Sequence, residues 1–468
     1  MSVTALGDAT ISELRGTLRG AAVVPGDPEY DTARAVWNGM HDRRPALVVR
    51  CAGTADVITA VRFARSQGMT IAVRGGGHSI AGFSTVDDGI VIDLSPMQGM
   101  QVDPAARTAR AQGGVKWGGF DRETQAFGLA VTGGLISTTG VAGFTLGGGI
   151  GHLARTLGLT CDNLIAADVV TADGNLVRAS EDENRDLFWA LRGGGGNFGI
   201  VTTFEYRLHQ HGPMIYGGPI FYPGDQTEDL LALYRDWTPG VPNEVNSLVA
   251  VTVAPPLPFL PEDVHGKPIA IMAGCYGGAV EDGDKYYQPF KEFGPPIADL
   301  IGPMPYLALQ SLLDPLWGSG VSNYFKSGFL SGIGSDVTEV VKTFMARRPN
   351  TLLAEFHVHH MGGAIDQVPD DATAYSGRGA PYIWKIVNRW DNGRAGDVEN
   401  IGWAREFGAA LAPFSTGRLY VNFTGEGSDD NVAAAYPPGM YRRLVQVKDA
   451  YDPDNVFHLN QNITPSGT

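Results

Sequence analysis

Residues 46–50 and 69–73 are apolar, partly β-branched runs that read as buried strands. Between them Val57, Ala60, Val61 and Ala64 recur at the i, i+3, i+4, i+7 spacing of a helix face. Thr54 stands where an N-cap is expected and Gly68 where the helix would stop. Further apolar runs predict strands over 90–94, 107–111 and 200–208, and a hairpin of 163–171 with 175–179 around the turn dipeptide Asp173-Gly174. Helices are expected over 12–18, 115–127 and 185–191. Residues 133–151 hold eight glycines in nineteen positions, a density that predicts neither helix nor regular strand.

After about residue 212 the glycine clusters cease and proline and aromatic residues rise. Strands are expected over 247–253, 268–274, 352–360 and 418–423, and helices over 226–237, 281–293, 337–347 and 403–411. That grouping predicts an antiparallel sheet with helices packed on one face. A last helix over 440–451 stops at Asp452-Pro453, and 457–465 is expected to return to the first domain. The division is therefore 1–211, 212–430 and a C-terminal segment, 431–468, in an α+β fold.

Bulk composition narrows the partners. The 468 residues carry 35 Lys and Arg against 50 Asp and Glu, a net charge of −15, which argues against nucleic-acid and anionic-membrane surfaces. The three cysteines, Cys51, Cys161 and Cys275, are widely spaced and predict neither a disulfide framework nor a zinc site; no metal is expected. No apolar run reaches the ~18 residues of a membrane span, and residues 1–20 lack a signal-peptide pattern. A cytoplasmic enzyme acting on a small molecule is the expectation.

The chemistry concentrates at Arg74-Gly75-Gly76-Gly77-His78-Ser79, directly after a predicted strand. Three consecutive glycines let the backbone approach a ligand closely, and successive N–H groups can form a nest for phosphate oxygens. A dinucleotide fingerprint needs GxGxxG opening a helix, and a P-loop needs Gly-Lys-Ser/Thr. Neither pattern is present.

Taken together, RGGGHSIAG at 74–82, GGLISTTGVAGFTLGGGIGHLARTLGLTCDN at 133–163, and ENRDLFWALRGGGGNFGIVTTFEY at 183–206 resemble the FAD-binding region of the vanillyl-alcohol-oxidase superfamily. More narrowly, they are similar to the berberine-bridge-enzyme-like FAD-linked oxidases, as are YVNF at 420–423 and the tail from Tyr451-Asp452-Pro453 to Asn460-Gln461-Asn462-Ile463. The resemblance implies a two-domain PCMH-type FAD-binding fold. It implies that Arg74 opens a loop in which Gly75, Gly76, Gly77 and Ser79 bind the pyrophosphate, and that His78 holds the flavin covalently. Thr139, Gly140, Gly143, Gly147, Gly148, Gly149 and Gly151 would line the cofactor chain; Asn197, Gly199, Ile200 and Val201 would run beside the adenine end; Asn460 and Asn462 would lie near the isoalloxazine. Doubly linked members carry a cysteine where this chain has Ile136, so a single link is expected. Thr139 aligns with a position thought to gate oxygen, and its small size points to an oxidase.

The substrate side is more open. Glu355, His357 and His359 alternate on one strand face, and Glu355 or His357 is a candidate proton acceptor. Tyr420 is a further candidate, with Asn422 orienting on the same predicted strand. Some relatives carry Tyr where this chain has Phe423. Tyr375, Tyr382, Trp384 and Trp390 could form an aromatic wall, but core packing is the more common use of most such residues. The resulting expectation is an oxidase with FAD linked through His78. It would move hydride from a C–H next to an O–H or N–H of a secondary-metabolite-like or sugar-like molecule to the flavin, with dioxygen reduced to hydrogen peroxide. A dehydrogenase using another acceptor and a non-catalytic flavin-binding protein are the alternatives.

Overall fold

The computed structural model describes residues 6–391 and 393–467. Leu47–Arg50, Ile90–Asp93 and Ile71–Arg74 pair in parallel, with Ala21–Val23 antiparallel at the edge. Helix Thr54–Ser66 connects two of these strands, as its periodicity predicts, and begins at the expected cap rather than after it. Its Val57, Ala60, Val61 and Ala64 are fully buried against Leu47, Val49, Ile90 and Ile92. Each buried valine contributes roughly 1.5–3 kcal/mol, so a charge at Val61 would break this layer.

A second sheet is antiparallel, in the order Met100–Asp103, Thr108–Gln112, Ile200–Arg207, Leu164–Val170, Leu176–Ser180. Helices Trp117–Gln125 and Arg185–Leu191 bury Phe120, Leu187 and Phe188 in the core beneath it. Helix Pro438–Tyr451 adds Leu444 and Val447 to that same core, and Lys448 donates to the Asn197 carbonyl.

The third sheet is the largest. Its order is Ala298–Asp299, Met214–Pro223, Pro268–Tyr276, Val245–Val253, Leu353–His360, Tyr382–Trp390, Ser322–Leu330, with Gly302–Pro305 also paired to Met214–Pro223. All neighbours are antiparallel. Helices Thr227–Trp237, Asp284–Lys291, Ser335–Ala346 and Asp397–Leu411 bury apolar residues against one face. The fold is thus α+β, with an antiparallel sheet covered by helices.

Three long strands of this sheet escape the sequence reading. Met214–Pro223 contains Gly217-Gly218-Pro219, Ser322–Leu330 is polar at half its positions, and Tyr382–Trp390 interleaves aromatic with charged residues. Two expectations are overturned. The glycine-dense region contains a helix, Val141–Leu146, because seven of its eight glycines lie outside that one turn and a half. The predicted strand 418–423 is an irregular segment closing in a 3-10 turn, Val421–Phe423, with Phe423 N–H donating to the Tyr420 carbonyl. Its alternating pattern reflects one side chain driven under the glycine region rather than a ladder.

Candidate active site

A cavity of about 640 Å³ lies between the glycine loops and the open face of the large sheet. One end is almost all backbone. The N–H groups of residues 75–79 donate to no acceptor among the described residues, although the loop is packed on both sides. Five consecutive free donors form a cradle for a polyanion. Gly77 is left-handed, at φ 73°. Gly76 lies against Gly140 so closely that a Cβ on either would come within 2.4 Å of the other's backbone nitrogen. The two glycine motifs, far apart in sequence, therefore close on each other, and both require the missing side chain.

His78 reaches from this cradle into the cavity. Its ring stacks on Trp37 at 4.7 Å and 14°, and Trp37 stacks on Trp317. Nε2 bonds to Thr138 Oγ1 at 3.1 Å, which leaves Nδ1 without a partner among the described residues. Burial, reinforced by Lys116 and Arg389, pulls its pKa down to about 3, so the ring is neutral and keeps a lone pair.

Ser79, Thr139, Gly140, Gly143, Gly147, Asn197, Gly199, Ile200, Val201 and Asn460 also line the cavity. Several expected cofactor residues do not. Arg74 points away, its guanidinium paired with Asp93 and hydrogen-bonded to the carbonyls of Ala33 and Ala35. Gly148, Gly149 and Gly151 are tight for packing reasons: a Cβ there would meet Tyr375, Thr160 and the Gly133 carbonyl. Asn462 is outside the lining, with a buried Oδ1 that has no partner among the described residues. Asn197 lines the cavity, but its amide is used internally: it donates to the carbonyls of Gly194 and Gln461 and accepts from Ile463 N–H.

The other end of the cavity is built from side chains on the large sheet. In Leu353–His360, Ala354, Phe356 and Val358 face the helices, while Glu355 and His357 face the cavity. His357 Nε2 lies 2.8 Å from Glu355 Oε2. Burial lowers the His357 pKa, so the neutral ring donates Nε2–H to the carboxylate. Glu355 Oε1 has no hydrogen-bond partner among the described residues. His359, on the same face, opens on a small adjoining cavity with His152 and is held neutral by burial.

Tyr420 is corrected as a candidate base. It is buried outside the cavity, where its hydroxyl accepts from Gly149 N–H and Asn422 Nδ2, and burial raises its pKa. Asn422 does line the cavity, anchored on Tyr420 and on the Phe144 carbonyl. The four aromatic candidates are core, the more common use of such side chains: Tyr382, Trp384 and Trp390 face the helices, and Tyr375 packs on Tyr420. Aromatic residues that do line the cavity include Trp37, Phe221, Phe259, Trp317, Phe325 and Phe423.

Lys385 was not anticipated. It sits opposite His357 on Tyr382–Trp390 and opens on the cavity. A lysine flanked by Trp384 and Ile386 was the available signal, but only the registered strand gives it a direction.

The cradle, the neutral imidazole and the cavity-facing carboxylate fit an FAD-linked oxidoreductase. The chain matches the family model described as FAD binding domain over residues 45–180 and the one described as berberine and berberine like over residues 419–464. It is 31% identical to an FAD-linked oxidoreductase of Dictyostelium discoideum, covering 97% of each chain. It is 30% identical to (R)-6-hydroxynicotine oxidase of Paenarthrobacter nicotinovorans, over 97% of this chain and 98% of the relative. The crystal structure of 6-hydroxy-D-nicotine oxidase from Arthrobacter nicotinovorans superposes with a TM-score of 0.87 at 29% identity, covering 96% of this chain and 98% of that one. The protein belongs to the berberine-bridge-enzyme-like family of FAD-linked oxidoreductases, with the PCMH-type fold. Among the described residues no helix is long and apolar enough to cross a membrane.

Proposed function

We propose that the protein is an FAD oxidase with its flavin attached once, through His78, and that it oxidises a C–H bond adjacent to an O–H or N–H. The free, neutral Nδ1 of His78 beside the N–H cradle is what supports attachment there. A second attachment lacks a thiol: Ile136 lines the cavity, and Cys51, Cys161 and Cys275 are buried away from it.

When bound, FAD supplies a hydride acceptor and passes both electrons to dioxygen, giving hydrogen peroxide. The chain's own part is binding and proton transfer. Glu355 Oε1 accepts the substrate O–H or N–H proton, while His357 holds the carboxylate by donating to Oε2. Asn422 orients the substrate from the opposite wall. Thr139, small and at the cavity surface beside Gly140, leaves room for dioxygen.

The single observation carrying this reading is one cavity that holds both the nucleophilic imidazole and the Glu355–His357 pair. Acid precipitation of purified protein should give a yellow pellet, and that of His78→Ala a colourless pellet under a yellow supernatant. A His78→Ala pellet that stays yellow would falsify the attachment. Peroxide formed in equal amount to oxidised substrate separates oxidase from dehydrogenase turnover.

A further inference from the structure

We infer that Lys385 is an anion-recognition residue, and that the substrate is a largely apolar, aromatic molecule carrying an acidic group rather than a sugar. The inference rests on the oxidase reading and names the substrate class of that same cavity.

Lys385 is only 5% exposed, yet its ammonium donates to no acceptor among the described residues. A buried charge without a partner is costly. Here it is partly offset by three aromatic faces: Nζ lies 4.7 Å from the Phe423 ring centre, 5.3 Å from Phe325 and 5.4 Å from Trp317. Such contacts stabilise a cation from the side but satisfy none of its N–H donors. Glu355 does not complete it: that carboxylate is held by His357 and forms no ion pair with Lys385. The donors are therefore left for something that enters the cavity.

The surroundings restrict what that can be. The lining of the same cavity includes Leu248, Ile271, Leu313 and Leu316, together with half-buried Leu257 and exposed Phe259. A sugar needs a partner for nearly every hydroxyl, and its buried hydroxyls would be unmatched against these side chains. A planar hydrocarbon body loses little there and gains from the area buried. A carboxylate or phenolate at its end pairs with Lys385, a charge-assisted bond in a dry site. Arg389, four residues along the same strand, adds positive potential from behind Trp37 and Trp317.

The test uses three probes on the yellow holoenzyme: 1-naphthoate, its neutral analogue 1-naphthamide, and cellobiose. Binding is read from perturbation of the flavin absorbance, without turnover. Wild type should bind naphthoate at least about tenfold more tightly than naphthamide and should show no saturable response to cellobiose. Lys385→Gln should abolish the naphthoate preference, and Lys385→Arg should keep most of it. Equal affinity for naphthoate and naphthamide in wild type, tighter binding of cellobiose than of naphthoate, or an unchanged preference in Lys385→Gln overturns the inference. Because the naphthoate and naphthamide comparison is made in wild type, it stands even if the variants fold poorly. A colourless protein, in contrast, would indict the oxidase reading itself.

Discussion

The two ends of the cavity are made in opposite ways. The glycine-loop end offers backbone: N–H groups over residues 75–79 that have no acceptor among the described residues, and two glycine turns in van der Waals contact. The sheet end uses side chains, Glu355, His357 and Lys385, presented by two strands in register. A backbone site tolerates almost no added atoms, because its geometry is the chain itself. A side-chain site tolerates changes of shape but not of charge or proton inventory. Damage to the first should remove the cofactor. Damage to the second should leave a yellow protein that turns over poorly or binds the wrong ligand.

The largest effect should come from Gly76→Ala. The added methyl would lie 2.3 Å from Gly140 N, and neither backbone can yield without opening the cradle. Flavin content per protein, read from the visible-to-ultraviolet absorbance ratio, should fall by an order of magnitude or more. A fully yellow Gly76→Ala protein would end the contrast between the two halves. Next comes Glu355→Gln, which should retain flavin and slow its anaerobic bleaching by about 10²–10⁴-fold, the usual range for a lost general base. The measurement is stopped-flow absorbance with any compound that bleaches wild type.

A third test varies pH. Burial pulls the Lys385 pKa down to about 8, against the raising effect of Glu355. The ammonium is the protonated form, so naphthoate affinity should hold below pH 8 and decline above it, while naphthamide affinity stays flat. The groups facing Lys385 permit that reading: His357 is held neutral by burial, and Arg389, pulled down to about 10, stays charged through this window. The smallest catalytic effect is expected of Tyr420→Phe. It removes the acceptor of two buried N–H donors and should cost about 1–3 kcal/mol of stability, read as a lower Tm. Bleaching per bound flavin should change less than threefold, whereas a 10³-fold loss would restore Tyr420 as a base.

Much of the cofactor end could be read directly from the chain. Glycine clusters at 74–79, 133–151 and 193–196 are local signals, because a backbone cradle is made by consecutive residues. Even there the reading over-assigned: Gly148, Gly149, Gly151 and Arg74 are spent on packing and an internal ion pair, which carry the same letters as ligand contacts. At the sheet end, Glu355 and His357 were visible through their period of two, yet Tyr420 was mistaken for their neighbour in chemistry.

Local order in the amino acids thus specified the strand–helix–strand module, the glycine turns and the α+β class. These depend on interactions among near neighbours, which composition and periodicity record. Which face each strand of the large sheet turns to the cavity was settled only by folding. Register between Leu353–His360 and Tyr382–Trp390 sets Lys385 across from His357, and a slip of one residue would have sent it among the helices. Antiparallel pairing over that separation is fixed by the burial of Phe356, Val358, Trp384 and Ile386 on the far side. The charge in the cavity is therefore placed by a hydrophobic core it never touches.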